Sequence, residues 1–116
     1  MTSNVFQIND RAAHDEVVSQ SKEHPTVINV SNSSLPICKK FTLDYSSLAE
    51  RWQPKGIKFA QLEFSRDTSM LFKFSPNQLP VTVLRVGDRW CKTVMGANIK
   101  GLEDALGELL RESNRS

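Results

Sequence analysis

The sequence predicts an α/β protein: a central mixed sheet of about five strands with helices on both faces. Three observations carry that expectation. Short runs rich in β-branched residues, above all Thr26 to Val30 (TVINV), alternate with longer stretches whose apolar residues recur every three or four positions. Late in the chain the alternation stops, and two strand-like runs, Val81 to Val86 and Arg89 to Met95, meet at Gly87-Asp88, a tight-turn pair that marks an antiparallel hairpin. Finally, 116 residues is the size of one ordinary domain, with room for a core that needs no disulfide or metal staple.

The elements follow in order. Val5 to Ile8 (VFQI) alternates as a short strand. Asp10 caps a helix that carries Ala13, Val17 and Val18 on one face, and Pro25 closes the connection. Thr26 to Val30 is apolar apart from Asn29, which suits a strand buried on both faces. Asn32, Ser33, Ser34 and Pro36 break the chain into a turn. A second helix is expected from Ile37 to about Trp52, because Phe41, Tyr45, Leu48 and Trp52 are spaced by four, three and four residues; Pro54 and Gly56 end it. Ile57 to Phe64 (IKFAQLEF) alternates as a third strand, and Met70 to Phe74 is expected to form a short helix before Pro76. After the hairpin, Asn98 caps a last helix with Leu102, Ala105, Leu106, Leu109 and Leu110 facing inward, weakened by Gly107 by up to about 1 kcal/mol relative to Ala. The predicted order is β-α-β-α-β-α-β-β-α, two βαβ units closed by a hairpin.

Composition excludes several function classes. Fifteen Lys and Arg against thirteen Asp and Glu leave a net charge of +2, too near balance to imply a nucleic-acid or anionic-membrane partner. Two cysteines, Cys38 and Cys91, are too few for a secreted disulfide scaffold. No secretory signal and no membrane-spanning apolar run is read, so a reducing, cytoplasmic setting is expected. His14 and His24 lack any metal-ligand spacing and read as surface residues. Lys39, Lys40, Arg51, Lys55 and Lys58 read as a solvated face. Trp52, Phe41, Phe59, Phe64 and Phe72 read as core aromatics. Cys91 stands beside Trp90 on a late strand, where one of the two faces inward; it is taken as a packing residue, with an exposed or dimer-forming thiol as the minor alternative.

The order of elements, the turn with Cys38 opening the second helix, Leu79-Pro80 before a β-branched strand, the Gly87 hairpin and Gly96 before the last helix together resemble the thioredoxin fold over nearly the whole chain. The resemblance implies a three-layer sandwich, residues 1–116 as a single thioredoxin-like domain, and a cis Leu79-Pro80 bond close to Cys38. Thioredoxins open their second helix with Cys-Gly-Pro-Cys-Lys. Here Cys38-Lys39 match the second cysteine and the lysine, Leu35 falls on the nucleophilic cysteine, and Pro36 sits one place early. Asn29 replaces the buried acid of the preceding strand, and Ser34 the tryptophan beside the first cysteine. Leu35-Pro36-Ile37-Cys38 is also similar to the Pro-x-Cys turn of the phosducin-like branch, whose members lack the dithiol and act as binding partners.

Disulfide reduction needs one thiolate to attack and a second thiol to resolve, and leucine cannot attack. Two expectations follow from the resemblance. The first is a non-catalytic module that binds another protein or an extended peptide through Ser33, Ser34, Leu35, Pro36, Ile37, Cys38, Leu79, Pro80, Gly96 and Ala97. The second is an atypical monothiol oxidoreductase in which Cys38 borrows an external thiol such as glutathione. Neither calls for a cofactor, a metal, nucleic acid or a membrane, and the chain is expected to be a monomer or weak dimer. No Cys38-Cys91 disulfide is expected, because the two lie on different elements.

Overall fold

The computed structural model describes residues 5–22, 24–64 and 78–114. Five strands, β1 (Val5–Ile8), β2 (Thr26–Ser31), β3 (Lys58–Glu63), β4 (Val81–Val86) and β5 (Trp90–Met95), form one mixed sheet in the order β1-β3-β2-β4-β5. β1 and β2 run parallel to β3, β4 runs antiparallel to β2, and β5 antiparallel to β4. β2, the most apolar strand of the sequence, takes the centre and is buried at all six positions.

Side chains alternate between the two faces. Val27, Phe59, Leu84, Val86 and Val94 point to a layer made by α2 (Pro36–Trp52) and α3 (Ile99–Ser113). Ile28, Val30, Ala60, Leu62 and Val81 point the other way, where Val17, Ala13 and Val18 of α1 (Arg11–Gln20) cover them. The predicted helix faces hold: Phe41, Tyr45 and Leu48 of α2 and Leu102, Ala105, Leu106 and Leu109 of α3 are buried, with Trp52 and Leu110 packed at the margin. A fully buried leucine of this kind contributes about 1.5–3 kcal/mol, and that contribution fixes α2 and α3 against the sheet.

Both predicted caps form. Asp10 accepts the Ala13 amide at 2.8 Å and Asn98 the Gly101 amide at 3.0 Å. The hairpin joins β4 and β5 at Gly87, whose φ of 55° favours glycine; its amide donates to the Ser21 carbonyl at 2.8 Å, tying the turn to the end of α1.

The differences are local. α2 begins at Pro36, one residue early, because proline suits the first helical turn. β3 begins at Lys58 and β5 at Trp90. Cys91 is exposed, against the expectation of a packing residue; Trp90 packs against the core instead, since its larger apolar surface gains more from the inward position. His24 is exposed, whereas His14 is half-buried on α1 beside Asp15. Phe64 is half-buried against the cluster of Ile28, Leu62 and Val81. The helix expected over Met70 to Phe74, with Phe72 and Pro76, lies outside the described residues. No helix of the described residues is long and apolar enough to cross a membrane.

Candidate functional site

Strand register assembles the candidate face. Val30 of β2 pairs with Val81 of β4, and Val81 pairs with Met95 of β5, so the β2–α2 loop, Pro80 and Gly96 lie in a row at one end of the sheet. The Leu79-Pro80 peptide is cis, and the Pro80 carbonyl accepts the Gly96 amide at 2.8 Å. Gly96 carries φ of 74°, a left-handed turn from β5 toward α3 that favours glycine. Leu79 and Cys38 share one buried cluster, with Leu35 packed on its edge.

Within this group the side chains divide by exposure. Ser33, Ser34, Pro36, Ile37 and Ala97 are exposed, Ile37 by 51%, and Leu35 and Gly96 are half-buried. Leu79, at 4% exposure, and Pro80 form the floor. Cys38 is 0% exposed. A thiol attacks only when its sulfur is accessible as thiolate, and burial of this depth opposes both access and ionisation.

The turn satisfies its own backbone. Asn32 Oδ1 accepts the Ser34 amide at 2.9 Å, the Asn32 carbonyl accepts the Leu35 amide at 2.9 Å, and the Leu35 carbonyl accepts the amides of Cys38 and Lys39. The Ser33 amide donates to both carboxylate oxygens of Glu63, at 3.0 and 3.3 Å, and the Ser33 hydroxyl to Oε2 at 2.9 Å.

Beneath α2 lies a polar row, buried at Asn29 and Thr82 and half-buried at Gln61 and Thr42. Asn29 pairs in register with Gln61 of β3 on one side and Thr82 of β4 on the other. The Gln61 amide donates to Asn29 Oδ1 at 3.0 Å and to Thr42 Oγ1 at 2.9 Å, and the Thr42 hydroxyl donates to the Cys38 carbonyl at 2.9 Å. Asn29 Nδ2 donates to Thr82 Oγ1 at 3.1 Å and to the Val81 carbonyl at 3.4 Å. The row reaches the backbone of Cys38 through amides and hydroxyls alone and holds no group that titrates near neutral pH. Nearby, the Tyr45 hydroxyl donates to the carbonyls of Ala60 at 2.7 Å and Val27 at 3.3 Å. Burial pushes its phenol well above the ordinary tyrosine range, opposed by its hydrogen bonds to the backbone.

Sequence reasoning placed Asn29, Leu35 and Cys38 but missed Gln61, Thr42, Thr82 and Glu63. The signal for the strand residues was parity: Gln61 and Glu63 share the inward face of Phe59, and Thr82 that of Leu84; Thr42, on α2, had none of this kind. The basic residues near α2 are exposed, and three have partners of their own: Arg51 pairs with Glu103, Lys55 lies over the Trp52 ring, and Lys58 donates to Gln20. Among the described residues no group of three His, Cys, Asp or Glu side chains could hold a metal ion.

Comparison of the backbone with solved structures identifies the architecture. Thioredoxin f from spinach chloroplast superposes with a TM-score of 0.79 at 18% identity, over 90% of this chain and 85% of its own. The fold is thioredoxin-like. Malassezia sympodialis thioredoxin gives 0.78 at 14% identity, covering 94% of this chain and 93% of that one. A thioredoxin f2, solved in complex with ferredoxin:thioredoxin reductase, gives 0.77 at 20% identity, covering 93% and 97%. No protein-family model matches the sequence, and neither does any curated protein.

Proposed function

We propose that the chain is a thioredoxin-fold protein that binds another protein, or an extended segment of one, without catalysing disulfide exchange. The face is Ser33 to Cys38 with Leu79-Pro80 and Gly96-Ala97. The carrying observation is the complete burial of Cys38 at a helix start where Leu35 occupies the position that resembles the attacking cysteine. The neutral Asn29-Gln61-Thr42 row points the same way, since proton transfer to a resolving thiol calls for a titratable group. Pro36, Ile37 and Ala97 supply exposed apolar surface, and Leu79 and Pro80 beside them are buried. The complex of the similar thioredoxin f2 with its reductase is a precedent for this fold as a protein-binding surface. The Pro-x-Cys likeness to the phosducin-like branch agrees with a binding role.

Insulin reduction with dithiothreitol tests the reading. The unmodified chain is expected not to exceed background, while Leu35→Cys gains measurable activity, because Cys38 is then placed to resolve a mixed disulfide one helical turn away. Robust turnover by the unmodified chain, abolished by Cys38→Ser, overturns it in favour of the monothiol enzyme.

A further inference from the structure

We propose that Glu63 is the positioning residue of the candidate face: its carboxylate, delivered from the end of β3, clamps Ser33 and so fixes the loop that leads to Leu35, whose side chain packs against the cluster that buries Cys38. The inference deepens the binding reading above and rests on it for its functional meaning, although the clamp itself is tested without any partner.

The need for a clamp is visible at the start of α2. Its N-cap is Leu35, which offers no side-chain acceptor, and Pro36 follows with no amide hydrogen to donate. The loop before it therefore depends on partners outside the helix. Asn32 serves Ser34 and Leu35 from within the loop. Ser33 is served from a different strand, and by both oxygens of one side chain: three contacts of 2.9 to 3.3 Å join its amide and hydroxyl to Glu63. Hydrogen bonds to a carboxylate are about twice as strong as neutral ones. The Phe64 amide donates to the Ser31 carbonyl at 2.7 Å, so the ends of β2 and β3 are already held side by side, and Glu63 reaches Ser33 with little further ordering. Beyond Ser33 the loop leads directly to Leu35, which packs against the cluster that buries Cys38. Release of Ser33 therefore leaves Leu35 held only by Asn32, by the first turn of α2 and by its own packing, and so loosens the cover over the sulfur while the sheet and helices stay folded.

The experiment uses the full chain in a Cys91→Ser background, so that Cys38 is the only thiol. Its rate of reaction with a disulfide reagent such as dithionitrobenzoate is measured with amide hydrogen exchange of residues 32–37 and with the urea midpoint. Glu63→Ala is expected to accelerate Cys38 labelling by about tenfold or more, equivalent to about 1.4 kcal/mol of local opening, and to strip exchange protection from Ser33, with a much smaller change in global stability. Glu63→Gln, which keeps one acceptor oxygen, rescues part of the protection. Ser33→Ala, which deletes only the hydroxyl, gives a smaller acceleration, and adding it to Glu63→Ala gives no more than Glu63→Ala alone. Unchanged labelling and exchange in Glu63→Ala, or acceleration that only tracks the fall in global stability, overturns the clamp. Insulin turnover by the unmodified chain would instead overturn the binding reading and leave the clamp standing.

Discussion

Replacing Asn29 by aspartate introduces a carboxyl into the middle of the polar row, and the hydrogen bonds of that row fix what should follow. Asn29 is fully buried, and its partners are the Gln61 amide, Thr82 Oγ1 and the Val81 carbonyl, none of them cationic. The asparagine donates twice through Nδ2; a protonated aspartic acid donates once. The neutral form therefore loses one net hydrogen bond, about 0.5–1.5 kcal/mol. The ionised form donates nothing, turns a negative oxygen toward the Val81 carbonyl, and adds the cost of an uncompensated buried charge, several kcal/mol. The folded chain thus holds the new carboxyl above its unfolded value of about 3.9. With the folded value raised, the variant is least impaired below about pH 4 and loses up to about 1.4 kcal/mol per pH unit as pH rises, until the folded carboxyl itself ionises. Urea unfolding at pH 4 and pH 8 is the assay. We expect a deficit of about 1 kcal/mol at the lower pH and at least about 3 kcal/mol at the higher. Equal deficits at the two pH values, within about 0.5 kcal/mol, would refute the assignment of the row as a neutral, cation-free network.

Tyr45 gives two further expectations. Tyr45→Phe leaves the Ala60 and Val27 carbonyls without their hydroxyl donor, a cost of about 1–3 kcal/mol, which a melting curve should show as a fall of about 4–12 °C. Because the folded phenol is held above its unfolded value near 10, the native chain keeps this stability below about pH 10 and loses it as pH rises further; the Phe variant should lack that alkaline loss in parallel melts.

The fold was legible because its signals were periodic and its punctuation chemical. The spacing of Phe41, Tyr45, Leu48 and Trp52, the caps at Asp10 and Asn98, and the turn at Gly87 each specified one local structure, and all agreed with one topology. Where a signal was symmetric, the sequence was silent. A period of two says that either Trp90 or Cys91 faces inward, and only packing volume decides between them. The candidate site was half legible. Cys38 stood out as a match to the pattern that the chain resembles, and Leu35 and Asn29 as departures from it, whereas the Glu63 clamp joins residues 30 positions apart and becomes visible only when register places the ends of β2 and β3 side by side. Likewise Gln61 and Thr82 are ordinary polar residues until pairing sets them on either side of Asn29.

The claim that this face presents no accessible thiol is tested most directly by peptide mapping after incubation of the native chain with glutathione disulfide. Cys91, exposed on β5, should take up glutathione readily, while Cys38, at 0% exposure, remains unmodified until the chain is unfolded in urea. A Cys38-glutathione adduct formed on the folded protein as fast as the Cys91 adduct would contradict the account and establish Cys38 as a working thiol.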